Sequence, residues 1–155
     1  ENLVSVEGGY SRTGSRSPMQ WDDSTNAGFS SAPASDLYIA MDPDKDRPTA
    51  KKEMAAPDSL YHEVKKLIRI RQSHKALQSR GKITFVYAEK NAYPLAYIRE
   101  DGDEKILVII NAAAEAKTFA CDAEPKEAIY NFGAAAEAKN GKITVPAQSA
   151  GFYRI

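Results

Sequence analysis

The sequence predicts a mainly β protein with one long helix, in which an antiparallel β-sandwich closes the chain behind an irregular loop region and that helix. Three observations carry this. From about residue 82 the apolar residues fall into short β-branched and aromatic runs. Residues 58–78 hold the one sustained helical periodicity. Residues 1–57 follow neither period and are broken every few positions by Gly8, Gly9, Gly14, Pro18, Gly28, Pro33, Pro43, Pro48 and Pro57.

A structureless run as long as 1–57 is unusual inside a compact domain, and points to a long functional loop or to a segment separated from its scaffold. "ENLVSVEGGY" has no initiator Met, no basic stretch and no apolar core of a signal peptide, so the chain reads as starting in the middle of a protein. In the helix, Asp58 or Ser59 is placed to cap the first turn, and Glu63 suits the positive end of the dipole. Leu60, Val64, Leu67, Ile68, Ile70 and Leu77 share one broad arc, opposite His62, Lys65, Arg69 and Gln72. So wide an arc requires a sizeable partner surface. Arg71 and His74 fall inside it, and a cation there needs a carboxylate or must reach out to water.

Seven strands are expected at 83–88, 94–100, 104–111, 117–121, 127–131, 142–146 and 149–155. Asp101-Gly102 and Asn140-Gly141 favour tight hairpin turns between them. The hexapeptide "AAAEAK" occurs at 112–117 and again at 134–139, each copy too short to nucleate a helix, and both are read as turn-and-edge segments.

Composition removes several functions. Lys plus Arg and Asp plus Glu both total 21, so no net field gathers nucleic acid. Cys121 is the sole cysteine, which leaves no internal disulfide and no cysteine-based zinc site, and two histidines are too few for a histidine-rich one. No apolar run approaches the roughly 18 residues that a membrane-spanning helix needs. "DPDKDRP", from Asp42 to Pro48, has calcium-loop flavour but lacks the central Gly and terminal Glu. Cys121 reads as a small buried hydrophobe. Phe85, Tyr87, Tyr93, Tyr97, Phe152 and Tyr153 are expected to fill the sandwich core, the other reading being an exposed ligand-binding strip.

The informative stretch is "SRSPMQWDDSTNAGFS", residues 15–30, polar and centred on the only Trp. Arg16-Ser17-Pro18-Met19-Gln20-Trp21-Asp22, followed by Asn26-Ala27-Gly28-Phe29-Ser30, closely resembles the "RTPMQWD…NAGFS" stretch of the α-amylase superfamily, glycoside hydrolase family 13. It is most similar to the branch of α-glucosidases, oligo-1,6-glucosidases and trehalose synthases. Two departures are Ser17 for the usual Thr, and Lys75 where the pattern often has Pro. The resemblance implies that residues 1–57 are the loop closing a (β/α)₈ barrel, that 58–80 are its last helix, and that 81–155 are the C-terminal antiparallel β domain.

It also implies a retaining mechanism, with an Asp nucleophile and a Glu acid/base whose carboxyl groups lie about 5 Å apart. A third Asp would sit in an Asn-His-Asp context. That tripeptide is missing here, where the histidines lie in "YHE" and "SHK" within the helix. The expectation is a truncated, inactive piece with no catalytic residue of its own, of a parent that hydrolyses or transfers α-linked gluco-oligosaccharides. A free-standing carbohydrate-binding or structural β-sandwich module is the alternative, disfavoured by the presence of a barrel loop and helix.

Within the motif, Arg16 is expected to bind sugar hydroxyls or to hold the loop by an ion pair. Gln20 either bonds sugar hydroxyls or satisfies loop carbonyls. Trp21 is a pyranose platform or a packed anchor. Asp22 and Asp23, adjacent on extended chain, point apart and do not make a catalytic pair; Asp22 is expected to accept from its own loop. Arg16, Gln20, Trp21 and Asp22 are the candidate substrate-binding residues. No metal, cofactor, nucleic acid or membrane is expected. The expected partners are the substrate, the missing N-terminal barrel and, through the uncovered helix face, a second copy. Residues 82–155 should fold alone, with 1–57 depending on the barrel. The absence of a disulfide favours the cytoplasm for an otherwise unassigned parent.

Overall fold

The computed structural model describes residues 6–7, 10–11 and 16–155. The chain divides into two compact units, Glu1–Lys66 and Leu67–Ile155. Most of "EGGYSRTGS", residues 7–15, lies outside the described residues.

In the first unit β1 (Val6–Glu7) pairs antiparallel with β2 (Tyr10–Ser11). Irregular chain then leads to α1 (Ala50–Ala55), a helix absent from the sequence expectation. Thr49 caps it, its side chain accepting from Lys52 N at 3.2 Å. The second helix, α2 (Leu60–Ser73), spans the boundary between the units. Ser59 ties its start to α1 by donating to the carbonyl of Glu53, while a ring nitrogen of His62 lies 3.0 Å from the carbonyl of Met54. The expected apolar arc is present, but no residue of α2 is buried and Leu60 is 72% exposed.

In the second unit α2 ends in a 3-10 turn, Lys75–Leu77, followed by eight strands. They are β3 (Lys82–Tyr87), β4 (Leu95–Asp101), β5 (Glu104–Asn111), β6 (Lys117–Ala120), β7 (Glu127–Phe132), β8 (Glu137–Lys139), β9 (Lys142–Val145) and β10 (Ser149–Arg154). One antiparallel sheet has the order β3-β4-β5-β10-β7 and the other β6-β9-β8. The strand missing from the sequence expectation is β8, an edge strand in the second "AAAEAK" copy. Its register is set by Asn140-Gly141, both at positive φ (51° and 70°), as a tight hairpin turn requires.

The two sheets share a core of Ala96, Leu107, Ile109 and Tyr153 from the first and Phe119, Ile143 and Val145 from the second, with Cys121 beside them. Burial pushes the Cys121 thiol up, which suits a packing role. Two polar groups brace this core. The Asn111 side-chain amide donates to the carbonyls of Glu115, Val145 and Pro146 at 3.0, 3.2 and 2.8 Å and accepts from Ala113 N. The Tyr153 hydroxyl donates to Asn131 Oδ1 at 2.7 Å and accepts from Ala136 N at 3.0 Å.

The aromatic expectation needs correction. Of the six residues named, only Tyr87 and Tyr153 pack with the core that the sheets share. Register explains why. Residues paired directly across antiparallel strands point to the same face. Phe85 pairs with Tyr97, Tyr97 with Val108, and Val108 with Phe152. All four therefore lie on the opposite face, where Tyr97, Val108 and Phe152 join a second cluster with Ala76, Leu77 and Ile106. Tyr93 lies outside the strands and is exposed.

The cations of the helix arc find separate answers. Arg71 Nε donates to the Leu77 carbonyl at 3.3 Å. His74 Nδ1 lies 2.6 Å from Glu104 Oε1, and the other carboxylate oxygen accepts from Ala76 N at 2.9 Å. Burial works to raise the Glu104 pKa, but the Ala76 N–H, His74 and Arg154 together hold it below the usual value.

Candidate functional site

The motif loop is fixed by main-chain bonds to itself and to α1, with side-chain bonds of its polar residues added to them. Trp21 N and Asp22 N both donate to the Ala27 carbonyl, at 2.8 and 3.2 Å, and close a compact turn. The carbonyls of Gln20 and Trp21 accept from Ala50 N and Lys51 N at 2.8 and 2.9 Å. Those two amides open α1 and have no partner within the helix, so the loop caps the helix as the helix fixes the loop. This mutual capping explains how six residues hold a helix that propensity alone does not nucleate. The signal in the sequence was Pro48-Thr49 in front of "AKKEMA".

The turn Thr25–Gly28 is held at positive φ: Asn26 and Ala27 at 52° and Gly28 at 73°. Left-handed backbone is costly for Ala, and such strain concentrates at functional sites. Asn26 offsets it with side-chain bonds to the carbonyls of Ser30 and Ala32, at 2.9 and 2.7 Å. Ala27 is fully buried. A Cβ on Gly28 would lie 3.0 Å from Asp22 Oδ1, so both the close approach and the sign of φ require glycine.

Asp22 accepts from Ser24 N at 2.8 Å and from the Ser24 hydroxyl. Those bonds, the hydroxyl's first, hold its carboxyl below the usual range. Asp23 points elsewhere, to Lys52 Nζ at 3.0 Å, and the two carboxylates are not brought together. Gln20 donates from Nε2 to the Pro48 carbonyl at 3.0 Å, and its Oε1 is buried with no hydrogen-bond partner among the described residues. Trp21 is 52% exposed, Met19 and Phe29 are further exposed apolar side chains of the same loop, and Arg16 is also exposed. The structure thus brings Gln20, Trp21 and Asp22 onto one braced turn; Arg16 precedes it on irregular chain.

In "DPDKDRP" the carboxylates of Asp42 and Asp44 accept from Asp44 N and Asp46 N at 2.9 and 2.8 Å. Arg47 donates to the carbonyls of Asp42 and Asp44. Among the described residues, no group of three or more His, Cys, Asp or Glu is arranged to hold a metal.

Comparison with known proteins gives the family. The α-amylase family model, "Alpha amylase, catalytic domain", matches residues 1–80, and the chain belongs to that family. The glucan 1,6-alpha-glucosidase of Streptococcus pneumoniae serotype 4 is 30% identical over 135 residues, which are 87% of this chain and 24% of that protein. The oligo-1,6-glucosidase of Parageobacillus thermoglucosidasius is 34% identical over 108 residues, 70% of this chain and 18% of that protein. Among solved structures, the trehalulose synthase MutB from Pseudomonas mesoacidophila MX-45 superposes with a TM-score of 0.77 at 30% identity, over 93% of this chain and 26% of that one. The chain therefore spans about a quarter, or less, of the length of these relatives.

Proposed function

We propose that these 155 residues are the C-terminal portion of a retaining α-glucoside hydrolase or glucosyltransferase acting on α-linked gluco-oligosaccharides. In this reading residues 1–57 are the loop region that closes the (β/α)₈ barrel, 58–80 its last helix, and 81–155 a β-sandwich domain that stabilises it. The catalytic carboxylates lie outside the chain. Arg16, Gln20, Trp21 and Asp22 shape the substrate subsites: the Gln20 amide and Arg16 meet sugar hydroxyls, Trp21 offers a face to a pyranose ring, and Asp22 holds the turn in shape.

One observation carries the reading. The turn from Gln20 to Gly28 is braced by main-chain and short side-chain bonds, while the Trp21 indole is half exposed and the buried Gln20 Oε1 has no partner among the described residues. A braced backbone that displays polar and aromatic groups suits a ligand more than a core. The test is turnover of p-nitrophenyl α-glucoside and maltose. The 155-residue chain should give none, and the full reading frame that contains it should turn both over. In that longer protein, Gln20→Ala and Trp21→Ala should weaken kcat/KM by about tenfold or more, as lost substrate contacts do. Turnover by the 155 residues alone would overturn the fragment assignment. Unchanged kcat/KM in both variants would overturn the subsite assignment.

A further inference from the structure

The first unit has little side-chain core to hold its loop in place. Among its described residues only Ala27 and Thr49 are buried. Both belong to the bonding around Gln20 and Trp21. The Ala27 carbonyl accepts from Trp21 N on one side, and on the other Thr49 leads into the two amides that hold the Gln20 and Trp21 carbonyls. The other buried polar side chains described, Asn111 and Ser149, both donate to the Pro146 carbonyl in the sheet unit.

Residues 48–52 clasp the motif at four points. Ala50 N and Lys51 N donate to the Gln20 and Trp21 carbonyls at 2.8 and 2.9 Å. The Pro48 carbonyl accepts from Gln20 Nε2 at 3.0 Å, and Lys52 Nζ lies 3.0 Å from Asp23 Oδ1. Thr49 sits within this segment at 1% exposure, with extended backbone (φ −127°, ψ 152°), and its hydroxyl accepts from Lys52 N. At its far end α1 is tied to the start of α2. There Ser59 donates to the Glu53 carbonyl, and a ring nitrogen of His62 lies 3.0 Å from the Met54 carbonyl. The short helix is thus a spacer between α2 and the motif.

From this arrangement we infer that Thr49 and Ala50 are positioning residues of the candidate site. They touch no substrate; they set where the Gln20 amide and the Trp21 indole stand. The inference rests on the proposed function, in which those two side chains meet the sugar. Loosening the clasp populates turns in which both are misplaced, and apparent affinity falls with the fraction that remains competent.

Ala50→Pro tests it by separating the clasp from the helix. Proline is favoured at the first helical position, and Thr49 already has the extended backbone that a residue before proline adopts, so α1 keeps its fold. The N–H that holds the Gln20 carbonyl is lost. Thr49→Val removes the cap and keeps the branched shape, whereas Thr49→Ser keeps the cap. In the full reading frame, with maltose as substrate, Ala50→Pro should lower kcat/KM by about tenfold, mainly through KM. Thr49→Val should lower it about threefold or more, and Thr49→Ser should stay within about twofold of the unaltered protein. Added to Gln20→Ala with Trp21→Ala, Ala50→Pro should cost little further, because the side chains it positions are gone. Circular dichroism melts should show every variant folded at the assay temperature.

Unchanged kcat/KM in Ala50→Pro and Thr49→Val, beside losses in Gln20→Ala and Trp21→Ala, would overturn this inference and leave the proposed function standing. No loss in Gln20→Ala and Trp21→Ala would instead sink the proposed subsites, and the positioning role with them. An Ala50→Pro loss that persists in full in the doubly substituted background would place its effect elsewhere and overturn the inference. So would failure of both Ala50→Pro and Thr49→Val to fold, since the segment would then hold the fold rather than the site.

Discussion

The motif loop and the two-sheet unit are built by opposite rules. In the loop the main chain makes the bonds that close the turn and join it to α1, from Trp21 and Asp22 to Ala27 and from Ala50 and Lys51 to Gln20 and Trp21; the small polar side chains of Asp22 and Asn26 add to them, and the large apolar side chains are displayed. In the sheets the side chains do the fixing. Leu107, Ile109, Ile143 and Val145 are buried, and the polar groups among them, Asn111 and the Tyr153 hydroxyl, are fully engaged. The difference separates residues whose identity holds the fold from residues whose identity is left available for binding.

The chain carries its own reporters of the two regions. Its only Trp, Trp21, lies in the loop, so tryptophan fluorescence follows that region while far-UV circular dichroism follows the sheets. The largest expected effect is Asn111→Ala. It removes the buried amide donor shared by the carbonyls of Glu115, Val145 and Pro146, of which Pro146 keeps the Ser149 hydroxyl. A loss of about 2–3 kcal/mol follows from the buried bonds that go with the amide. In the circular dichroism melt that is on the order of 10 °C. The Trp21 transition should move far less. If both signals fall together, the two regions are one cooperative unit and the contrast breaks.

Glu104→Gln is expected to cost less, about 1–2 kcal/mol, because the amide can still accept from Ala76 N while losing its charge against His74 and Arg154. Its pH dependence sharpens the point. The Glu104 pKa in the folded protein lies below its ordinary value of 4.5. Its stabilisation is therefore complete above that value, and is lost as pH falls below it through the lowered folded value. The native sheet unit should lose stability on acidification in that window, and Glu104→Gln should flatten the loss. An unchanged acid slope would remove Glu104 from the account.

The sheets were the more legible region, and their physics explains why. Strand period and turn residues are local properties, so Asn140-Gly141 and the runs at 104–111 and 149–155 announce themselves. Register is not local. The assignment of Phe85, Tyr97 and Phe152 to the shared core failed because only pairing decides which face a residue occupies. Propensity hid β8, since Glu137-Ala138-Lys139 is poor strand sequence that pairs only because the turn delivers it to β9. In the loop, the residue types of the motif were readable, but the helix that braces them was not. The bonds fixing α1 come from Gln20 and Trp21, each thirty positions before its partner, and involve main-chain atoms that carry no sequence signature.

Gly28→Ala probes the loop's conformation. At a φ of 73°, with Asp22 Oδ1 3.0 Å from the new methyl, it strains the backbone and crowds the carboxylate that Ser24 holds. A loss of about 1–2 kcal/mol is expected. It should appear in the Trp21 emission maximum and melt, and leave the circular dichroism transition of the sheets in place. A shift confined to the sheets would mean that the loop's geometry is dictated from elsewhere.

The smallest expected effect on stability is Trp21→Ala. The bonds that define this position run from the Trp21 N–H to Ala27 and from Lys51 to the Trp21 carbonyl, and alanine makes both. With the side chain 52% exposed, the buried part that is lost is modest, and the change should stay below about 1 kcal/mol. Since the variant has no tryptophan, hydrogen exchange at Ala50 N–H and Lys51 N–H replaces fluorescence as the probe of the turn. Retained protection would show that the indole is dispensable for the fold, so that any fall in sugar turnover by the longer protein belongs to binding. Lost protection would make Trp21 an anchor like Leu107 or Ile143, and the contrast between displayed and buried side chains would fail at the residue on which it most depends.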